Sequence, residues 1–349
     1  MDGMSFDLGK KTDCSCGKEH TAPIDEVIVE KGAVKRLPDI IKRYGAKKAF
    51  VISDKNTYKA AGKAIASLLS ESGIDYKEFV FQTESVKPNE EYVGSALMHF
   101  DTSCDIVVGV GSGVINDISK ILSNAAKCRY IIVATAPSMD GYASASSSVD
   151  MDGLKISLPS RCPDVIIGDI DILKNAPLRM LTAGLGDMVA KYIGILDWKV
   201  AHLLIDEYYC DAVAELTMTA VRKMVALADK VTAEDEEAAG AIMEALVLSG
   251  LAMKLARSSR PASGAEHVVS HYWECYKLAR GIWPEYHGKK VGVATVIIDR
   301  LYRNLADRLP EIDPVKDPTD WDEVYRHFTP EQVPGVKKLN NPTITDKVN

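Results

Sequence analysis

The sequence predicts an α/β domain built on a parallel sheet over residues 25–176 and an all-helical domain over residues 177–349. Residues 1–24 form an N-terminal arm ahead of both. Three observations carry that expectation. Short β-branched runs alternate with stretches whose apolar residues recur at helical spacing, the pattern of strands joined by crossover helices. The texture changes after Pro177: no proline occurs again before Pro261, and Ala, Leu, Met, Glu and Lys dominate. The chain also has 349 residues, more than one core usually serves, so separate or abutting cores are expected.

In order along the chain, EVIVE (26–30), KAFVIS (48–53), YKEFVF (76–81), DIVVGV (105–110) and YIIVAT (130–135) are the expected strands. The stretches 33–45, 57–74, 89–100 and 114–126 are the helices between them. The Ala/Ser-rich stretch 143–148 reads as a loop, DGLKISL (152–158) as part of an excursion hairpin, and DVIIGD (164–169) as a strand closing the sheet. A helical bundle is expected beyond 177, with the acidic run Glu234 to Glu237 as a solvated helix start. Six of the 15 prolines fall in the last 40 residues, so helices there must be short.

Composition excludes several classes. An apolar fraction of 46% rules out a disordered chain. The 42 basic and 49 acidic side chains leave a net charge of −7, which argues against a nucleic-acid partner, because phosphate neutralisation needs clustered Lys and Arg. No stretch approaches the roughly 18–20 consecutive apolar residues of a membrane span, and the first residues (MDGMSFDLGKKTDCSC) lack an apolar signal core. A soluble, cytoplasmic protein is therefore expected. The seven cysteines are scattered and odd in number, so no disulfide framework is expected. Only CSCGKEH gathers Cys14 and Cys16 near a histidine, His20. That is at most three ligands, and C-x-C is not zinc-ribbon spacing, so the segment reads as a mobile arm with two thiols.

Five motifs could carry chemistry. GVGSGVINDISK (109–120) follows a strand, and Gly109, Gly111 and Gly113 permit a tight turn into a helix whose free N–H groups suit a pyrophosphate. It is neither the G-x-G-x-x-G fingerprint nor a P-loop, and a plain β–α turn explains it equally well. ATAPSMDGYASASSS (134–148) offers the hydroxyls of Thr135, Ser138 and Ser144 and the carboxylate of Asp140. Asp54 ends an earlier strand, where it could accept from an adenosine ribose or cap the next helix. GLGDMVAK (184–191) puts Asp187 at or near a helix start, where N-capping alone would account for it. SRPASGAEHVVSH (259–271) sets His267 and His271 on one helical face, and PEYHGKKVG (284–292) adds His287. One Asp and two His make a three-ligand set with a coordination position left open, as a catalytic metal needs. Val268 stands where an H-E-x-x-H protease would have its glutamate, which rejects that reading.

GSGVINDISK, TAPSMDGYASASSS, GLGDMVAKYIGILDWK, SRPASGAEHVVSH and HGKKVG, in this order, resemble the sn-glycerol-1-phosphate dehydrogenases, most of all the bacterial ones. These are members of the metal-dependent alcohol dehydrogenase and dehydroquinate synthase superfamily. The resemblance spans about residues 25–300. It implies a Rossmann-like N-terminal domain, an all-helical C-terminal domain, and a homodimer. It implies a divalent metal on Asp187, His267 and His287, with Asp140, Asp187 and His271 facing the substrate and Asp187 and His271 as the catalytic pair. It implies a nicotinamide cofactor, NAD or NADP, held by Gly109, Gly111, Ser112, Gly113, Val114, Ile115, Thr135, Ala136, Ser138 and Ser144. Asp54 would meet the adenosine ribose, where a carboxylate repels a 2′-phosphate and so favours NAD.

The implied reaction is the reversible reduction of dihydroxyacetone phosphate to sn-glycerol 1-phosphate. Negative charge grows on the ketone oxygen as hydride arrives, and a Lewis acid at the three ligands would stabilise it. Zinc fits this donor set best, with nickel and iron also acceptable. His271 or a water would relay the proton. The substrate phosphate would draw on Lys155, Arg260, Lys289 or Lys290. Glycerol dehydrogenase or another polyol dehydrogenase of the superfamily is the alternative, followed by dehydroquinate synthase, whose set has Glu where Asp187 stands, and by a noncatalytic dinucleotide sensor. The proline-rich segment after about 310 is short for the family, and the resemblance assigns no role to CSCGKEH.

Overall fold

The structure, a computed structural model, describes residues 14–83, 85–152, 154–232, 234–308 and 319–339. The first 13 residues of the arm and much of the proline-rich C-terminal segment lie outside the described residues. The strands are β1 (Glu26–Glu30), β2 (Lys48–Asp54), β3 (Asp75–Phe81), β4 (Ile106–Gly111), β5 (Arg129–Ala134), β6 (Ser146–Met151), β7 (Leu154–Pro159) and β8 (Val165–Asp169). Six form one parallel sheet in the order β1-β8-β5-β4-β2-β3, and β6 and β7 pair as an antiparallel hairpin. The sheet strands start and end within one residue of the β-branched runs, because buried parallel strands are near-continuous apolar segments.

Two placements differ from the sequence reading. The segment 143–148 is not all loop, since Ser146, Ser147 and Ser148 already pair with β7. DVIIGD does not close the sheet at its edge: β8 lies between β5 and β1, and β1 is the edge. Every residue of β8 is buried, so it needs neighbours on both sides, whereas β1 buries only Ile28 and tolerates an edge.

The crossover helices are α1 (Leu37–Arg43), α2 (Lys55–Thr57), α3 (Lys63–Glu71), α4 (Glu90–His99) and α5 (Gly113–Ala126). A π turn, Tyr58–Gly62, separates α2 from α3, and the Tyr58 ring lies against Gly62 so closely that a Cβ there would sit 2.7 Å from its Cδ2. After β8 come α6 (Ile170–Leu173), α7 (Leu178–Val189), α8 (Lys191–Ile205), α9 (Asp211–Val225), α10 (Glu236–Ala256), α11 (Ala265–Leu278) and α12 (His287–Arg308). The short α13 (Trp321–Arg326) and α14 (Val333–Leu339) follow, the latter with Pro334 in its first turn, where a missing N–H costs nothing. The acidic run opens α10, with Asp235 as N-cap accepting from the Ala238 N–H at 2.8 Å.

Alternation along the strands feeds two apolar layers. Val51, Val108, Ile131 and Ile167 pack with α1 and α3. Ile52, Val107, Ile132 and Ile166 pack on the other face with α5 and then, without a break, with α7, α9 and α10. The helical half therefore shares a core with the sheet. Among the described residues, α10 is the one helix long and apolar enough to cross a membrane, and 72% of that window is buried inside the protein, which marks it as a core helix.

Candidate active site

A cleft of about 1760 Å³ opens beyond the carboxyl ends of the sheet strands, with residues of α7, α11 and α12 on its far wall. It exceeds the roughly 300–1,000 Å³ of a pocket for one small molecule. The connection from β2 runs outward to β3, and the chain then crosses back to β4, β5 and β8, so the strand order reverses between β2 and β4. Open parallel sheets bind ligands at that reversal.

The sheet wall offers anion-binding backbone. Ser112, Gly113, Val114 and Ile115 line the cleft at the start of α5, and no side chain caps that helix, so its first N–H groups and its dipole face the cavity. Gly109 and Gly111 are buried beneath it and do not line the cleft. A Cβ on Gly109 would sit 2.7 Å from Ser119 Oγ, and one on Gly111 would sit 2.5 Å from Ile115 Cβ, so both serve close packing of β4 against α5. Thr135, Ala136, Ser138 and Ser144 line the same wall. Lys120, fully buried, pins their loop by donating to the Gly141 carbonyl (2.6 Å), Ser144 Oγ (3.0 Å) and the Ser146 carbonyl (3.1 Å). Asp54 also lines the cleft while Oδ1 caps α2, accepting from the Asn56 and Thr57 N–H groups at 2.8 Å each.

Three donors converge on the far wall. Asp187, His267 and His287 bring ligand atoms within 4.8 Å of one another. Close backbone contacts of α7 make this possible: a Cβ on Gly184 would run into the Pro137 carbonyl of the loop after β5, and one on Gly288 of α12 into the Ala183 carbonyl. Asp187 is not at a helix start. It lies in the last turn of α7, where the dipole disfavours a carboxylate, so capping does not explain it. Lys191 does: Nζ is 2.7 Å from Asp187 Oδ1 and 2.8 Å from Asp140 Oδ2, all within a buried cluster. Burial alone would raise the Asp187 carboxyl, but Lys191, then His287 and His267, outweigh it and hold it below the usual carboxylate range. The same two carboxylates raise Lys191 against the effect of burial. Withdrawal from water pushes His287 down to about 3, more than the attraction of Asp187 restores, so its imidazole is neutral and able to bind a cation. Glu266 Oε1 meets His267 Nδ1 at 2.6 Å, which directs Nε2 toward Asp187, 4.0 Å away. A carboxylate behind a histidine in this way is the usual support of a metal ligand. The donor set therefore fits one divalent ion.

His271 lies beside the three donors without joining them. Its ring centroid is 6.1 Å from His267 and 5.9 Å from His287, its side chain is 45% exposed, and Nδ1 is 3.6 Å from Glu274. Asp140 is more constrained: its Oδ2 accepts from Ser249 Oγ at 2.9 Å and pairs with Lys191, and its N–H donates to Asp187 Oδ2 at 3.0 Å. Glu274 gathers Lys290 at 2.9 Å and Lys155 at 3.5 Å, which with His271 hold its carboxyl well below the usual range despite burial. Of the four cations considered for a phosphate, Lys155 and Lys289 line the cleft. Arg260 does not: it forms a two-pronged pair with Glu207 at 2.7 and 2.5 Å and lines a separate hollow beside α8.

Sequence reasoning passed over Lys191, Glu266 and Glu274. Lys191 carried a signal, standing four residues after Asp187 on one helical face. Glu266 directly precedes His267, but Glu274 becomes visible only when β7 meets α11.

Residues 28–177 match the family model of the iron-containing alcohol dehydrogenases. A protein of Halalkalibacterium halodurans named glycerol-1-phosphate dehydrogenase (NAD(P)+) is 37% identical over 299 residues, 84% of this chain and 75% of the relative. One of the same name from Methanosarcina barkeri is 34% identical over 278 residues, 79% of this chain and 76% of the relative. The crystal structure of glycerol dehydrogenase from Schizosaccharomyces pombe shares the fold with a TM-score of 0.65 at 20% identity, over 93% of this chain and 88% of that one.

Proposed function

The chain belongs to the glycerol-1-phosphate dehydrogenase family, and we propose that it reduces dihydroxyacetone phosphate reversibly to sn-glycerol 1-phosphate with NADH or NADPH. One observation carries the proposal beyond the family: His267 and His287 line the same cleft as the uncapped start of α5, and Asp187, buried behind that wall, brings its carboxylate within 4.8 Å of both. A divalent ion there, zinc in this reading with nickel and iron as the other candidates, supplies Lewis-acid polarisation of the ketone. The nicotinamide supplies the hydride.

The chain's own residues do the rest. The N–H groups at the start of α5 hold the cofactor's phosphates, and Thr135, Ala136, Ser138 and Ser144 line its path, with Asp54 at the ribose end favouring NAD. Gly109 and Gly111 act beneath the loop rather than at it. Glu266 fixes the orientation of His267, and Lys191 keeps Asp187 ionised. His271, partly exposed and 3.6 Å from Glu274, passes a proton between the substrate oxygen and water in this reading. Lys155 or Lys289 on the cleft wall receives the substrate phosphate. The same reading makes the chain a homodimer in the cytoplasm, and sedimentation of the purified protein tests the dimer.

The decisive assay follows NADH oxidation with dihydroxyacetone phosphate against dihydroxyacetone, each with zinc, nickel or iron. Faster turnover of the phosphorylated ketone is expected. A clear preference for dihydroxyacetone overturns the proposal in favour of a glycerol dehydrogenase.

A further inference from the structure

The segment CSCGKEH plays no part in the cleft, yet it does not stand alone. It packs where α8 passes into α9 and against the end of α10. We propose that Cys14, Cys16, His20 and Cys210 form a second metal site, a closed structural zinc centre separate from the cleft. Their ligand atoms all lie within 4.8 Å of one another. Cys14 Sγ is 3.6 Å from Cys210 Sγ, and His20 Nε2 is 3.4 Å from Cys16 Sγ and 3.5 Å from Cys210 Sγ. A tetrahedron drawn with zinc–sulfur bonds of about 2.3 Å and a zinc–nitrogen bond of about 2.0–2.1 Å has S···S edges near ~3.8 Å and S···N edges near ~3.5 Å. The observed edges are those of a metal-sized tetrahedron.

The neighbours support the assignment. His20 is buried, and its Nδ1 is 2.9 Å from the Leu255 carbonyl, so Nδ1–H donates there and Nε2 turns its lone pair to the sulfurs. The Tyr208 hydroxyl lies 3.3 Å from Cys16 Sγ, where it donates to a thiolate. Gly17, at φ +76°, closes the Cys14–Gly17 turn through a 3.0 Å bond from its N–H to the Cys14 carbonyl. A Cys14–Cys210 disulfide would use two of these donors and leave Cys16 and His20 without a purpose. Three thiolates and one imidazole fill a zinc tetrahedron completely, so no position is left for substrate. The ion would tie the residues ahead of β1 to α9 and α10. The fourth ligand was hidden from sequence because Cys210 and His20 are 190 residues apart.

The test uses the full-length protein, reduced and loaded with cobalt(II). Only thiolates give a sulfur-to-cobalt charge-transfer band, and the cleft donors include no sulfur, so wild-type protein alone decides the main point. The band and about two bound ions per chain are expected from four closed and three open donors. His267→Ala should keep the band and lose one ion, whereas Cys16→Ser and Cys210→Ser should lose the band and keep the cleft ion. Absence of the band from reduced, cobalt-loaded wild type overturns the proposal, as does a Cys14–Cys210 disulfide in peptide maps of protein kept in its native redox state. Neither outcome bears on the dehydrogenase reading, whose own assay depends on the cleft.

Discussion

The cleft donors and the sulfur cluster sit in one fold but are built for opposite ends. In the cleft, one carboxylate and two imidazoles come from three helices, and the carboxylate is already engaged by Lys191. Beside the N-terminal turn, three sulfurs and one imidazole have no cation among their described partners, and a carbonyl and a hydroxyl orient them. The difference teaches how to tell the two uses of a metal from donors alone. Three donors backed by an ion pair and a carboxylate leave room for substrate, while three thiolates and an imidazole close around the ion.

The sharpest break in the comparison is Asp187→Asn or His267→Ala. Either removes a cleft donor, and the Lewis-acid contribution of several kcal/mol goes with it. A loss of about 10³-fold or more in kcat/KM for dihydroxyacetone phosphate is expected, with one metal ion fewer per chain and an unchanged far-ultraviolet circular dichroism spectrum. Wild-type turnover in a variant that binds no cleft metal would mean that the three donors are not the active site.

Lys191→Met tests the buried ion pair behind the cleft donors. It leaves Asp140 and Asp187 buried without their partner, and breaking a buried pair in this way costs about 3–5 kcal/mol. Urea unfolding of metal-stripped protein should show that loss. Saturation with zinc should shrink it, because a divalent ion bound to Asp187 replaces the missing positive charge. A loss of equal size in stripped and loaded protein would place the role of Lys191 in packing instead.

The sequence reading was uneven for physical reasons. Strands such as Ile106–Gly111 and Val165–Asp169 were legible because full burial on both faces selects β-branched runs. The position of β8 between β1 and β5 was not, since strand order depends on which faces meet across the sheet. His267 and His287 stood out through spacing and small neighbours, whereas the residues around Asp187 alone suggested only a cap, and its place among the metal ligands came from the resemblance, because the partner Lys191 was passed over. Gly109 and Gly111 were read as cofactor glycines, although they relieve crowding between β4 and α5. Cys210 and Glu274 act through contacts that span the chain, and local pattern carries no trace of those.

Glu274→Gln gives a smaller effect on the cleft wall, where Lys290 and Lys155 would lose their counter-charge. A destabilisation of about 2–3 kcal/mol at pH 7 is expected, below the full cost for buried pairs because Lys155 retains some solvent contact. The folded-state carboxyl is depressed, so its stabilisation is present above the unfolded value near ~4.3 and is lost as pH falls below it. Unfolding curves of wild type and variant should therefore converge as pH drops from about 4.3. Curves that stay parallel throughout would show that ionisation of Glu274 contributes nothing.

Asp54→Asn separates two roles that meet in one carboxylate. Oδ1 caps α2, and asparagine caps as well as aspartate does, so thermal stability should be unchanged. Only the charge disappears, and in the proposed cofactor pose the repulsion of a 2′-phosphate goes with it. A shift of about tenfold in kcat/KM toward NADP relative to NAD is expected, equivalent to about 1.4 kcal/mol. Asp54→Ala should add a loss of about 1 kcal/mol in stability, because the cap goes too. If the cofactor ratio stays fixed in both variants while Asp54→Ala alone unfolds sooner, Asp54 is a cap and nothing more. The reversal of strand order between β2 and β4 would then still locate the cofactor, but the preference between NAD and NADP would have to come from another residue on that wall.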